Sequence, residues 1–268
     1  SQAVSRLRTL VGDPLFERSG RGVTPTSRAL AMAAPVRHAL ETLANSVEGG
    51  EVFDCGESER TFKLALNDYG ELLYLPALMT RLRDSGATIA IKTFPTMQSD
   101  QVKDLRYGTL DLLFWLQPIE EKEVSVHQLS TERQVCLIRA DHPVAKKGSF
   151  TLEDYVGLDH LTIRLPGDNT QSVVAQRIRA HGHERRVALE VHSCLEMPPI
   201  LASTDLVSTL PVGMAEAMAK NYPLKVLKAP LPEMSLPIFM MWHRSMDEDV
   251  GHKWLRERFI EIAARNPA

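Results

Sequence analysis

Val4-Ser5-Arg6-Leu7-Arg8-Thr9-Leu10-Val11-Gly12-Asp13-Pro14-Leu15-Phe16, continuing through Arg18, Gly22 and Thr24-Pro25-Thr26, is the stretch on which the reading of this chain turns. Val4, Leu7, Leu10 and Val11 recur at spacings of three and four, which predicts an amphipathic helix with Arg6 and Arg8 off its apolar stripe. Gly12, Asp13 and Pro14 stop that helix, and Leu15 to Glu17 can extend as a short strand. The run Arg18-Ser19-Gly20-Arg21-Gly22 is a turn with two glycines available for positive φ, so a small β-wing is expected. Thr24 followed by Pro25 suits an N-cap and first helical turn, and the alanine-rich run from Thr26 to about Ser46 has the composition of a long helix that Pro35 would bend. Glu48 to Glu59, with three glycines and few apolar residues, reads as a linker.

Beyond residue 60, strand-like and helix-like segments alternate. Strands are expected at 61–66, 87–93, 110–116, 133–139, 160–164, 186–191, 206–210, 224–228 and 236–243, and helices at 70–83, 99–107, 152–156, 170–181, 197–203, 212–220 and 249–265. A parallel crossover needs a helix-length connection, so this alternation predicts βαβ units and mainly parallel sheets. The body is therefore α/β. Its length suits two small lobes better than one sheet, with a ligand cleft at the carboxyl ends of the strands.

Bulk properties narrow the function. The chain has 268 residues, 44% hydrophobic and 24% charged, and no apolar run approaches a membrane span. The opening residues enter Arg6 and Arg8 without an apolar segment, which predicts no export, and the widely spaced Cys55, Cys136 and Cys194 fit a reducing cytoplasm. Net charge is −3, but residues 1–40 carry +4 and the rest −7, as expected when one end of a protein meets phosphate.

The ordered match over the first 26 residues resembles the winged helix-turn-helix of LysR-type transcriptional regulators. The resemblance implies that the helix before Gly12-Asp13-Pro14-Leu15-Phe16 is a recognition helix, the hairpin its wing, and the helix after Thr24-Pro25-Thr26 the linker through which two subunits dimerise. On that alignment the chain begins partway along the recognition helix, and DNA binding belongs to the full-length protein. Trp242-His243-Arg244 with Asp247, His252, Trp254, Leu255 and Arg256 resembles the carboxyl-terminal signature of the branch that regulates aromatic-compound degradation and nodulation. Asp68 to Pro76, Gly108 to Leu112 and Asp141-His142-Pro143 support it. The implied fold is a two-lobed, periplasmic-binding-protein-like effector domain preceded by a partial winged helix-turn-helix and a long linker helix. The implied boundaries are 1–24 for the DNA-binding part, 25–50 for the linker helix, 60–132 with 245–268 for effector subdomain I, and 133–244 for subdomain II.

Candidate contacts follow. Arg6 and Arg8 on the helix and Arg18 and Arg21 in the wing have the type and placement for phosphate, a reading the resemblance favours although arginines on a solvated helix face are common in any protein; Gln2 and Ser5 suit base edges, and a polar helix face explains these two as well. For the cleft, Asn67, Asp68 and Tyr69, and in the next equivalent loop Thr96, Met97, Gln98 and Ser99, bring hydroxyls, amides and helix amino ends to one place, though each alone suits an ordinary cap. Phe114 and Trp115 could stack on an aromatic ring or fill a core. His160, Arg164, Ser193, Cys194, Pro211 and His243 complete the expected wall, with Arg164 as the partner for a carboxylate. His181-Gly182-His183 lacks further ligands at metal spacing and reads more simply as a turn with Gly182 as C-cap. Cys136 and Cys194 read as buried inert thiols before a redox pair.

The expectation is a cytoplasmic homo-oligomeric regulator, dimeric through the linker helix and tetrameric by resemblance, that binds double-stranded DNA and a small aromatic or aromatic-acid effector. It needs no cofactor, metal or catalytic residue and no membrane. A solute-binding protein would share the two-lobed body but carry a signal segment and no basic head; an enzyme on the same scaffold would need an acid/base pair or nucleophile in the cleft.

Overall fold

The computed structural model describes residues 2–20, 22–47, 53–96, 100–147, 150–164, 173–230 and 235–265. Helix α1 (Gln2–Val11) ends at Gly12, whose φ of 67° lets its N–H reach Arg8 O at 2.9 Å. Asp13 then organises the corner: its Oδ1 accepts from Leu15 N–H at 2.7 Å and from Thr26 Oγ1 at 2.8 Å. Leu15 is buried at φ 59°, the single non-glycine residue with positive φ among those described, so the Asp13 bonds and burial offset a strained backbone. Strand β1 (Phe16–Ser19) pairs antiparallel with β2 (Gly22–Pro25), and α2 (Ser27–Val47) follows, continuous across Pro35. The expected cap at Thr24-Pro25 is corrected here. Pro25 closes the hairpin opposite Phe16, and the N–H of Ala29 is accepted by Thr26 Oγ1 at 3.1 Å, because Asp13 already holds that hydroxyl at the helix start.

The body runs β3 (Thr61–Ala65), α3 (Asp68–Asp84), β4 (Ala90–Phe94), α4 (Gln101–Arg106), β5 (Leu112–Trp115), β6 (Val124–Arg139), α5 (Leu152–Val156), β7 (Asp159–Ile163), α6 (Val173–Ala180), β8 (Arg186–Val191), α7 (Met197–Ser203), β9 (Ser208–Pro211), α8 (Val212–Asn221), β10 (Leu224–Lys228), β11 (Ser235–His243) and α9 (Val250–Arg265). One sheet has the order β10-β6-β11-β5-β3-β4 with β9 also on β6, and β7 and β8 form a separate parallel pair. The expectation of mainly parallel sheets is overturned. β3 is parallel to β4 and β5, but β11 is antiparallel to both β5 and β6, and β6 is antiparallel to β9 and β10.

The cause is β6, a 16-residue strand that leaves the first lobe and enters the second while β11 returns beside it. Sequence reading found only its last seven residues, where Val135 to Ile138 are buried on both faces; Val124 to Thr131 mixes His, Gln, Ser and Thr into its apolar positions. β11 also pairs with β5 through Phe239–Met241, so its second half is hydrogen-bonded within the first lobe. Between Ile238 and Phe239 the β6 register shifts, from Ser130 to Gln128. Part of the expected linker is fixed: Phe53 packs on Phe62 and Trp254, and Thr88 N–H donates to Cys55 O at 2.9 Å.

The carboxyl-terminal signature is a buried polar knot. His252 is fully buried, its Nε2 lies 3.1 Å from Asp111 O, and its Nδ1 lies 2.7 Å from an Arg256 guanidinium nitrogen. Arg256 also donates to Met246 O at 2.8 Å and Asp247 O at 2.7 Å and lies 4.6 Å over the Trp242 ring, while Trp242 Nε1 and Ser125 Oγ both donate to Asp247 Oδ1. Arg60, paired to Asp249 at 2.6 Å, ties the start of β3 to the start of α9. His181-Gly182-His183 forms a helix end, with Gly182 at φ 77° and the His183 N–H on Ile178 O at 3.1 Å.

Burial first, and the neighbouring Arg256 and Arg60 charges next, push His252 down to about 4; burial and Arg185 do the same to His160. Both imidazoles are neutral in the fold, so below pH 6.5 protons favour the unfolded chain. Stability should be complete above pH 6.5 and fall as pH drops toward 4, by on the order of 3 kcal/mol per histidine at full effect. Urea midpoints at pH 7 and 4.5 measure this; a His160→Asn variant should lose its share of the pH dependence, and an unchanged dependence would contradict neutral burial.

Candidate functional site

Strand direction decides which ends of the lobes face each other. Trp115, at the end of β5, pairs with Phe239 beside the register shift, so the carboxyl ends of the parallel strands β3, β4 and β5 lie toward the crossing of β6 and β11. In the second lobe Pro211, ending β9, pairs with Gln134 just beyond the crossing. β7 and β8 share the direction of β9 through the parallel bridge of His160 to Val207, so their carboxyl ends point the same way. Six strand ends from two lobes therefore open onto one cleft, with the crossing as its floor.

Asp68 begins α3, whose cap is Asn67: the Asn67 side chain accepts from Gly70 N–H at 2.9 Å. The Asp68 carboxylate crosses the cleft, where one oxygen accepts from Ser193 Oγ at 2.8 Å and from Cys194 N–H at 2.8 Å. Those donors follow β8 and start a 3-10 turn at Cys194–Glu196, with Ser193 also capping Leu195 N–H. Tyr69 is buried, packs with second-lobe residues such as Leu210 and Met214, and donates its phenol to Glu132 Oε2 at 2.6 Å. A Cβ on Gly213 would sit 3.6 Å from Tyr69 Oη, so the amino end of α8 stands against this phenol.

Glu132 lies at the crossing itself and is 3% exposed. Its other oxygen accepts from Ser130 Oγ at 2.9 Å, and the Tyr74 hydroxyl lies 3.2 Å from the same Ser130 Oγ. A buried carboxylate is costly unless hydrogen-bonded, and here each oxygen has a partner. Burial, reinforced by Glu132, raises the Tyr69 phenol well above its ordinary range; burial pushes Tyr74 up to about 12. Both phenols therefore stay protonated near neutral pH, and Tyr69 remains the donor.

The sequence-derived wall divides. Asp68, Tyr69, Ser193 and Cys194 meet across the cleft as described. Thr96, buried, follows β4; Trp115 ends β5, packed against Phe239; Pro211 ends β9; and Arg164 follows β7, exposed and 3.7 Å from Glu190. Met97, Gln98 and Ser99 lie outside the described residues. Three assignments are corrected. Phe114 lies in the first-lobe core, 4.7 Å from Phe259 and 5.9 Å from Tyr74, because its side chain leaves the opposite face of β5 from Leu113. His160 starts β7, fully buried with Nε2 3.0 Å from Tyr155 O, at the end remote from the cleft. His243 ends β11, which runs antiparallel to β5, so it sits beside Val124 at the far end of the first lobe, 3.6 Å from Glu123.

Glu132 is the site residue that sequence reading missed. Its signal was a carboxylate three residues ahead of the apolar run Val135 to Ile138. Burial pushes the thiols of Cys136 and Cys194 up to about 12, in Cys194 with Asp68 adding to the effect, which keeps both protonated as expected of inert thiols. At the amino end, Gln2, Ser5, Arg6, Arg8 and Arg18 are exposed on α1 and β1, Arg8 Nε donating to Pro14 O at 2.6 Å; Arg21 lies outside the described residues.

Comparison with known proteins agrees with this architecture. Residues 56–264 match the family model described as LysR substrate binding domain. The chain is 33% identical to the HTH-type transcriptional activator NahR of Pseudomonas putida, over 98% of this chain and 87% of that protein. It is 29% identical to Nodulation protein D 2 of Rhizobium tropici, over 98% of this chain and 83% of the relative. Among solved structures, the probable transcriptional regulator PA0477 from Pseudomonas aeruginosa superposes with a TM-score of 0.73 at 29% identity, covering 96% of this chain and 85% of that one. The effector binding domain of BenM with its effector benzoate shares the fold alone, with a TM-score of 0.63 at 19% identity over 78% of this chain and 94% of that one. Among the described residues no helix is long and apolar enough to cross a membrane.

The Glu132 network predicts an asymmetry between two similar substitutions. Tyr69→Phe removes a direct donor to the buried carboxylate and should cost about 1–3 kcal/mol, whereas Tyr74→Phe, one bond further away, should cost about 1 kcal/mol or less. Denaturant unfolding of the two variants measures the difference; equal losses would show that Glu132 does not depend on its direct partner.

Proposed function

The chain is a member of the LysR family of transcriptional regulators, and on that premise we propose that it senses a small aromatic acid held between its two lobes and passes the result to DNA. The observation that carries this reading is the convergence of six strand ends, two helix amino ends and a polar seam on one cleft crossed by two strands. A cleft of this build can change shape by rotation at the crossing, and a ligand drives that change only as far as it binds one arrangement better than the other. Asp68, Tyr69, Thr96, Trp115, Arg164, Ser193, Cys194 and Pro211 would line it, with Met97 and Gln98 from the loop after β4. Arg164 is exposed, at the correct strand end, and able to turn from Glu190 to a ligand carboxylate. The benzoate bound by BenM, which shares the fold, supports the aromatic acid class.

The amino-terminal elements supply the output. Arg6, Arg8 and Arg18 are exposed on α1 and the hairpin and would contact phosphate, with Gln2 and Ser5 near base edges, acting in the cytoplasm. On α2 the exposed Val36, Leu40 and Leu43 fall at spacings of four and three, an apolar stripe that a second copy would cover to form a homodimer, the unit from which a tetramer could be built.

Two measurements test this. Titrating the protein with substituted benzoates and phenols while following its melting temperature should give a selective rise of several degrees for the acids, and Arg164→Ala should abolish it. An unchanged shift in that variant would remove Arg164 as anchor, and no shift with any compound would remove the aromatic effector. In sedimentation, Leu40→Glu combined with Leu43→Glu should convert the dimer to monomers with the body still folded; a persisting dimer would place the interface elsewhere.

A further inference from the structure

The seam between the lobes contains a carboxylate held as a bound anion would be. Asp68 belongs to the first lobe, yet its partners, Ser193 Oγ–H and Cys194 N–H, both belong to the second. The two donors address one oxygen, each at 2.8 Å, and lie at the start of a helical turn after a strand, where backbone N–H groups have no intrahelical acceptor. Asp68 is solvent-exposed, so the contact can exchange with a competing group. It is also dispensable to its own helix, because Asn67 provides the cap of α3.

We propose that Asp68 is an internal ligand: it fills the carboxylate subsite formed by Ser193 and Cys194, clasps the lobes together without effector, and must be displaced by the carboxylate of an incoming aromatic acid. The proposal deepens the effector reading and rests on it. Electrostatics gives the displacement its direction. Glu132 already places one buried carboxylate at the floor of the cleft and Asp68 a second at its rim, so a third negative group beside them would be opposed by both. Release of Asp68 to solvent removes one opponent and frees two donors. The clasp thus sets a threshold, reducing the apparent affinity for a carboxylate by the fraction of molecules in which the subsite is already filled. A neutral ring compound, which has no use for the donors, would not sense it.

The test compares benzoate with phenol, two probes that share the ring and differ in the carboxylate. Calorimetry on wild type and Asp68→Ala should show benzoate binding about tenfold tighter in the variant and phenol unchanged. Asp68→Asn, which keeps shape and accepting capacity without the charge, should lie between. Ser193→Ala should weaken benzoate, because it removes a donor from the subsite itself. Amide exchange provides a readout free of any ligand: the Cys194 N–H should exchange faster in Asp68→Ala than in wild type. Equal benzoate affinity in wild type and Asp68→Ala, or a parallel gain for phenol, would overturn the competitor role while leaving the aromatic acid reading standing. Benzoate binding to neither protein would overturn that reading instead; Cys194 exchange then tests the clasp alone, faster exchange supporting it and unchanged exchange overturning it.

Discussion

The two antiparallel strands that cross between the lobes are the constraint on which the rest of this structure depends. β6 and β11 are each a single piece of chain shared by both lobes, and they are hydrogen-bonded to each other along nearly the whole of β11. Because they cannot slip without turning every side chain to the opposite face, the relative position of the lobes is limited to bending and twisting at the crossing. The register shift beside Ile238 and Phe239 and the buried carboxylate of Glu132 both lie there. An irregular ladder gives the crossing a place to bend, while Tyr69 on Glu132, and Tyr74 through Ser130, tie that place to α3.

Much of the fold was legible in the sequence because the body obeys its periodicities. Each strand after residue 60 falls within a few residues of where its apolar pattern puts it, including β6 from Arg133 onward, where burial on both faces makes the run nearly continuous. The first half of β6 was not legible, since a strand that borders the seam carries His127, Gln128, Ser130 and Thr131 among its apolar residues. At the amino end, Thr26 takes the cap that Thr24-Pro25 suggested because Asp13, thirteen residues away, fixes its hydroxyl, a tertiary fact that no local rule contains.

The site was legible to the extent that loops after parallel strands can be recognised. Asp68, Ser193 and Cys194 follow β3 and β8 and do meet. His160 failed because it begins β7, a strand whose carboxyl end faces the cleft; His243 failed because an apolar strand flanked by polar residues shows its ends but not which end faces the cleft. That depends on direction within the sheet, and β11 runs opposite to β5. Glu132 was missed because a lone glutamate ahead of an apolar run looks like a strand boundary. The carboxyl-terminal signature, legible as a motif, has a structural basis: Trp242, Asp247, His252 and Arg256 bond to one another.

That polar knot bears on how the chain is made. Arg60 and Asp249 close the first lobe across 189 residues, and Phe259 of α9 packs on Phe114. Most of the second lobe is encoded between them, in one continuous stretch. During synthesis, then, the second lobe can assemble its core while α9 is still inside the ribosome, but the first lobe must wait with β3, α3 and β4 unsealed until α9 emerges. The first lobe is thus sealed after the second, since α9, whose start is paired to Arg60 through Asp249 and which packs on Phe114, is encoded after every element of the second lobe.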